Sequence, residues 1–491
     1  MKVSEVIGKI KYSTVCGDTD AEIFDVCIDN RICKGNDAFV CIKGFTRDAH
    51  EFAESAISMG ASALFVQDEE KFRELCERYG ENKGFCVVLV QDTRKLLPEL
   101  SDVVFRHPSG ELNLIGVTGT KGKTTTTYMI KNIYDKSSVK TGLIGTICNM
   151  IGDEVIKTER TTPEANVTQK LIRDMVNAGV KTCIMEASSQ GLNLNRVGGC
   201  EYNIGVFTNL SHDHIGPNEH KDMDDYANAK SKLFTMCKKG LINIDSPYSD
   251  VMIKNATCEV FTYGIDNECD FRAVNVKLNN SSVEYDICGK CPTRHIKVSI
   301  PGKFSVYNSL AAIACSLLDG GDIDVVSKTM ENIVVSGKAE SVPTGKDFSI
   351  IIDYAHNPDS FINILTTVKA FAKRTVFLFG CGGDRNRPRA LMGKTAGEYA
   401  DFTIITSDNP RSEDPDEIIR DIEVGIKETD AEYVCITDRA EAIKYAIINA
   451  QPGDVIILAG KGHETYQIFK DKTVHFDERE VVAQVLAEIG G

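Results

Sequence analysis

Residues 116–127 read Gly-Val-Thr-Gly-Thr-Lys-Gly-Lys-Thr-Thr-Thr-Thr, at the point where an apolar run over 112–118 gives way to a helical pattern. A buried strand that passes into a helix through several glycines turns backbone N–H groups toward one spot, which is how a chain cradles phosphate. The nucleotide-binding set is Gly119, Thr120, Lys121, Gly122, Lys123, Thr124 and Thr125. Gly116, Gly119 and Gly122 allow close approach, Lys123 adds positive charge, and the Thr124 hydroxyl suits magnesium. Strict Walker spacing would place the first glycine at 117, where this chain has Val117. The loop demands an α/β domain and leaves kinase, GTPase, motor and ligase open.

With 491 residues the chain exceeds one core and fits about three domains. Short apolar runs at 38–42 and 63–67, between turns and helical stretches, predict a small α/β domain over 1–105. A linker, His107-Pro108-Ser109-Gly110, precedes the nucleotide-binding domain over 106–335. There, 181–187 and 202–209 read as buried strands, 222–237 as a helix, 270–300 as antiparallel strands with turns at Asn279-Asn280 and Gly289, and 306–318 as a helix. From 336 to 491, strands at 349–353, 374–379, 401–406, 433–437 and 454–459 alternate with helices, which predicts a Rossmann-like domain. The expected fold is α/β, three domains, with mostly parallel sheets.

Charge narrows the partners. The chain has 56 basic and 71 acidic residues, a net −15, which disfavours nonspecific binding to nucleic acid or anionic membrane. An anionic substrate must then meet local positive charge. No apolar run reaches membrane-spanning length, and the start lacks a secretion signal's apolar core, so a cytoplasmic, non-membrane protein is expected. The 17 cysteines suit reduced, buried thiols, and Cys288 and Cys291 form an isolated CxxC without a second pair.

Three residues carry further chemical interest. Glu186 ends the apolar run KTCIMEA and should emerge at a strand's carboxyl end, either as a metal ligand or as a solvated loop carboxylate. His214, in Ser211-His-Asp-His214, could serve a metal or a loop hydrogen bond. Lys230 lies on the 222–237 helix, where a lysine is ordinarily solvated.

With these residues in view the chain resembles the Mur ligases, and within them the UDP-N-acetylmuramoyl-tripeptide synthetases. The motifs run in order: DNR at 29–31, FTRDAH at 45–50, GVTGTKGKTTTT at 116–127, TTP at 161–163, EASSQGL at 186–192, TNLSHDH at 208–214 and YANAKSKLF at 226–234. SVYNSLAA at 305–312, DYAHNP at 353–358, GCGGDR at 380–385, DNPRSEDP at 408–415, GKGHETYQ at 460–467 and HFDERE at 475–480 complete the series.

The resemblance implies an N-terminal UDP-binding domain, a central ATPase domain and a C-terminal domain that receives an amino acid and closes on substrate. It implies ATP and Mg2+ as cofactors, and γ-phosphoryl transfer to a carboxylate to give an acyl phosphate that an amine then attacks. Lys123, His214 and Lys230 become catalytic, and Thr124, Glu186, His214 and Lys230 hold metal. Lys230 is carbamylated by CO2, which needs a neutral amine, so burial or cationic neighbours should depress its pKa. Asn308 faces adenine and Asp353 closes over ATP. Asn30, Thr161, Thr162, Ser188 and Arg196 hold the UDP-muramyl peptide.

Asp408, Asn409, Pro410 and Arg411 resemble the motif form of enzymes that add meso-diaminopimelate. Its second carboxylate can accept a bidentate guanidinium bond, whereas lysine offers none. Arg389, Gly460 and Glu464 align with the remaining contacts, although the stretch 386–390 is one residue shorter than the family pattern, so Arg387 could replace Arg389. The partners implied are UDP-MurNAc-L-Ala-D-Glu and meso-diaminopimelate, with a monomer expected. Departures are Lys338 for arginine, Asn30 for serine, Ala49 for glycine, Ser305 for asparagine, and IGPNEH at 215–220 after His214. The rivals are addition of L-lysine or another amino acid, a sister Mur or folylpolyglutamate-type ligase, and a nucleotide-dependent switch or binding protein.

Overall fold

The computed structural model describes residues 1–490 except 45–46, 217–218, 280–281, 334, 336, 338, 370 and 385–386. Phe45, Thr46, Pro217, Asn218, Asn280, Lys338, Arg385 and Asn386, named above, therefore lie outside the described residues. The chain divides into two compact units, Met1–Asp270 with Ala314–Asp319, and Phe271–Ile313 with Gly320–Gly491.

The first unit carries two sheets. Near the N-terminus, parallel strands Asp25–Cys27, Asp37–Val40, Ala63–Val66 and Cys86–Leu89 lie side by side, and Thr14–Gly17 adds an antiparallel edge. Asp37–Val40 and Ala63–Val66 are buried throughout, which explains why they read as continuous apolar runs. The second sheet orders its parallel strands as Glu259–Gly264, Cys237–Asn243, Tyr202–Phe207, Asn113–Thr118, Thr182–Glu186 and Thr141–Ile144. The short strands Asn149–Ile151 and Glu154–Ile156 continue it antiparallel. Asn113–Thr118 is therefore central, and the loop that follows it opens at the carboxyl ends of its neighbours, where such sheets bind ligands.

One sequence expectation is corrected here. The helix expected over 222–237 is Met223–Ser231, followed by a 3₁₀ turn Lys232–Thr235, and Cys237 already begins the strand Cys237–Asn243. Lys238 and Lys239 at the start of that strand hide its apolar end from a periodicity reading.

In the second unit, Phe271–Leu278, Val283–Gly289 and Arg294–Val298 form antiparallel neighbours, and the helix Lys303–Leu318 begins here. A separate sheet orders parallel strands Ser349–Asp353, Asp454–Ala459, Arg374–Phe379, Phe402–Ile405 and Tyr433–Cys435, with Glu340–Val342 antiparallel at the edge. Its β-branched stretches such as Asp454–Ala459 are buried on both faces. The hairpin Tyr466–Phe469 with Lys472–His475 stands apart from that sheet. Among the described residues no helix is long and apolar enough to cross a membrane.

Candidate active site

The phosphate loop is shaped by its glycines and braced from the neighbouring strand. Gly119 has φ 152° and Gly122, which precedes the helix Lys123–Lys136, has φ 83°; a Cβ on Gly119 would collide with the Thr208 hydroxyl. Thr120 N–H donates to the Asn209 carbonyl at 2.8 Å and Lys121 N–H to Asn209 Oδ1 at 3.0 Å. Thr208 Oγ1 and Asn209 Nδ2 donate to the Lys121 carbonyl at 2.6 and 3.0 Å. The TNLSHDH segment thus fixes the loop's shape before it supplies His214.

Two lysines meet at one carbonyl. Lys123 Nζ donates to Gly119 O at 2.9 Å and Thr120 O at 3.0 Å, and Lys230 Nζ reaches the same Gly119 O at 2.8 Å. Lys230 is 1 % exposed. Burial, and then the ammonium of Lys123, hold its amine well below the usual lysine range, against a smaller pull from Asp213. The helix accounts for the burial: Tyr226, Ala227 and Lys230 share its inward face, and Asp222 caps its start by accepting from Asp225 N–H.

Glu186 ends its strand fully buried. Its Oε2 accepts from Thr124 Oγ1 at 3.1 Å and Thr146 Oγ1 at 2.9 Å, and its Oε1 from Thr146 N–H at 3.0 Å. A threonine hydroxyl against a buried carboxylate is an all-oxygen donor set of the kind magnesium prefers.

Tyr226, which the sequence reading passed over, links the remaining parts. Its hydroxyl lies 3.1 Å from Thr120 Oγ1, Lys230 Nζ sits 4.4 Å from its ring centre, and His214 stands edge-on at 5.9 Å. Burial pushes its phenol up to about 12, so the hydroxyl stays protonated. His214 itself has φ 55°, is about half exposed, and places Nδ1 3.0 Å from Glu219 Oε1.

The residues expected to hold the UDP-peptide fall partly together. Thr162 Oγ1 donates to the Glu186 carbonyl at 2.8 Å and accepts from Ser188 N–H at 2.9 Å, while Thr161 Oγ1 lies 3.1 Å from Thr146 Oγ1. Ser188 caps the helix Ser189–Asn193. Arg196 Nε is 3.1 Å from Glu164, which also pairs with Arg94 and Arg160, each at 2.7 Å. Three guanidiniums around one carboxylate leave a positive surplus within a −15 chain. Asn30 is elsewhere, donating through Nδ2 to Ser55 Oγ at 2.9 Å.

In the second unit, Asp408–Arg411 follow the strand Phe402–Ile405 and Gly460–Glu464 follow Asp454–Ala459, at carboxyl ends of one parallel sheet. Arg439, fully buried and absent from the sequence reading, ties these loops: it donates to Ser407 O at 3.3 Å and Ala459 O at 2.7 Å, and its charge is met by buried Glu478 at 2.7 Å. Burial raises the Glu478 carboxyl, and Arg439 opposes that rise. Arg411, at φ 52°, donates Nη1 to Gly383 O at 2.7 Å. Arg389 is committed to Glu413 at 2.8 Å and Asp421 at 2.9 Å, whereas Arg387 donates to the His356 carbonyl. The Asp353 carboxylate accepts from Ala339 N–H and Ala355 N–H, both at 2.7 Å, and Asn308 is buried in its helix.

Cys288 and Cys291 are free thiols. Among the described residues, the cluster able to offer a metal three ligands is Cys27, Cys33 and Asp37. Asp37 there accepts from Lys34 N–H at 2.7 Å and the Cys27 thiol contacts the Asp29 carbonyl at 2.9 Å, both local turn contacts.

Family models match most of the chain: "Mur ligase family, catalytic domain" over 22–103, "Mur ligase middle domain" over 117–316, and "Mur ligase, glutamate ligase domain" over 339–462. A UDP-N-acetylmuramoyl-L-alanyl-D-glutamate--2,6-diaminopimelate ligase of Caldanaerobacter subterraneus subsp. tengcongensis is 47 % identical, with 99 % of each chain covered. A ligase of the same description from Clostridium acetobutylicum is 42 % identical, with 100 % of each covered. A solved structure described in the same terms superposes with a TM-score of 0.72 at 28 % identity, covering 100 % of this chain and 99 % of the other.

Proposed function

The chain belongs to the Mur ligase family, and on that premise we propose that it joins meso-diaminopimelate to UDP-N-acetylmuramoyl-L-alanyl-D-glutamate by ATP-dependent amide-bond formation, a step of peptidoglycan precursor synthesis. The observation that carries the ATP-dependent chemistry is the meeting of Lys123 and Lys230 on the Gly119 carbonyl, beside the Thr124–Glu186 contact. The added amino acid rests on the relatives' descriptions together with Arg411 in its DNPR motif.

Joining a carboxylate to an amine in water requires activation, and ATP supplies it by phosphorylating the carboxyl group. Two anions must approach, so the chain's work is to gather positive charge and hold geometry. Loop N–H groups and Lys123 take the phosphates. Thr124, Glu186, His214 and Lys230 would hold magnesium, which when bound neutralises the charge that collects during transfer. A neutral, buried amine is what carbamate formation with CO2 needs, and the depressed Lys230 meets that requirement. Arg196 with Arg94 and Arg160 offers the UDP-peptide its positive field. In the amino-acid pocket Arg411 suits the distal carboxylate and Glu464 the distal ammonium. Arg389 is already paired, which favours Arg387 as the second guanidinium for the ligand.

The same reading assigns 1–105 to UDP-peptide binding, 106–335 to ATP and 336–491 to the amino acid, in a cytoplasmic monomer. The test is phosphate release by the purified protein offered ATP, the UDP-dipeptide and a panel of amino acids. Release should require both acceptor and amine and be fastest with meso-diaminopimelate. Release indifferent to either substrate would point to a nucleotide switch, and a preference for L-lysine would sink the amino-acid assignment.

A further inference from the structure

Lys461 has no exposed surface, yet it lies within the GKGHETYQ segment, between Gly460 and Glu464. Its ammonium stands 3.2 Å from Asn409 Oδ1, 3.3 Å from Glu464 Oε2 and 3.5 Å from Asp408 Oδ1. Two hydrogen bonds and one ion pair thus converge on the ammonium, and among the described residues Asp408 Oδ1 has no hydrogen-bond partner. Asn409 completes the arrangement: its Oδ1 also accepts from Ile468 N–H at 3.0 Å, and its Nδ2 donates to Glu464 Oε2 at 2.8 Å.

We infer that Lys461 is a positioning residue for the amino-acid pocket, presetting Glu464 and Asn409 for an incoming ammonium-bearing substrate; this rests on the proposed role of that pocket. The charge arithmetic supports it. Asp408 and Glu464 would repel one another if left alone in a buried site, and one cation between them leaves a single net negative charge for the ligand's ammonium. Lys461 also fixes which way the Asn409 amide faces, because only its oxygen can accept from an ammonium. Both contacts on Glu464 fall on Oε2, so Oε1 is the oxygen left for the substrate.

The experiment is steady-state kinetics of K461M with each of the three substrates varied in turn, alongside E464Q and the double variant. The KM for the amino acid should rise ~10–100-fold, with the KM values for ATP and UDP-dipeptide within about 2-fold of the parent. The double variant should lose little beyond the worse single one, as expected when one residue acts through the other. If K461M does not fold, K461R answers the same question, because its planar fork cannot reproduce the three contacts and must raise the same KM selectively. Equal changes in all three KM values, or a fall in melting temperature without a selective KM change, would overturn the inference. If E464Q raises the amino-acid KM and K461M does not, the pocket assignment stands and this inference falls. If E464Q has no effect, the pocket assignment itself fails.

Discussion

Lys230 and Lys461 are both fully buried lysines, and the chain treats them in opposite ways. Lys461 faces Asp408 and Glu464 within 3.5 Å, so its charge is met where it stands. Lys230 meets a carbonyl and the neighbouring Lys123, and among the described residues it has no ion pair with a carboxylate. A buried cation left without an anion is costly, and the cheaper state is the neutral amine. The amino-acid pocket therefore presents a charge lattice with one net negative charge left for a ligand's ammonium, while the phosphate loop presents a cationic one that phosphate, metal and a modified lysine would complete.

The widest separation between the two regions is expected from Lys230→Met. Turnover should fall by at least ~10³-fold, and added bicarbonate should restore nothing. Folding should be unharmed, because removing an uncompensated amine from a buried site relieves a cost. A variant retaining full activity by phosphate release would break the comparison at its root.

Arg439→Met should do the reverse. Leaving Glu478 buried without its partner is expected to cost about 3–5 kcal/mol of stability, read by denaturant unfolding, whereas the affinities for ATP and UDP-dipeptide in the folded fraction change much less. Losing Lys394, whose pair with Glu428 is exposed, should leave the same unfolding curve unmoved.

Arg411→Asn should narrow the preference for meso-diaminopimelate over L-lysine by about 10²-fold in kcat/KM. The effect is less than a fully buried arginine would give, because Arg411 is half-buried and keeps the Gly383 carbonyl as partner. An unchanged ratio would move the discrimination to Arg387.

The smallest effect concerns pH. Lys230 has a folded pKa below its unfolded value of 10.5, so the unfolded chain binds the extra proton between those two values. Its burial therefore costs stability below the folded pKa and through that window, and the cost fades as pH rises toward 10.5. Compared by thermal unfolding, the advantage of Lys230→Met over the parent should shrink steadily as pH is raised to about 10. A constant difference would mean that Lys230 remains charged in the folded protein.

Glu186 could be expected at a strand's carboxyl end because it closes the apolar run KTCIMEA, and the phosphate loop drew notice through its glycines with Lys123 and Thr124 between an apolar run and a helical pattern. Lys230 could be named from the family motif but not recognised as buried from its own helix, since the contact that buries it lies 111 residues away at Gly119. Lys461 and Arg439 escaped for the same reason: each looks like an ordinary surface cation until the fold brings in partners from other strands' loops, Asn409 and Glu478 among them. Tyr226 opens the YANAKSKLF motif without drawing notice, because its hydroxyl contact with Thr120 comes from tertiary packing. The edge strands Thr14–Gly17 and Glu154–Ile156 went unread because they are too short and too exposed to show alternation.

Arg439 holds the carbonyls of Ser407 and Ala459 with one guanidinium, so the two segments that would choose the amino acid hang from a single peg. Attempts to retune selectivity by grafting one segment from a lysine-adding homologue would inherit a mismatch in the other. A successful transplant would carry 407–411, 459–464 and the Arg439–Glu478 pair as one cassette.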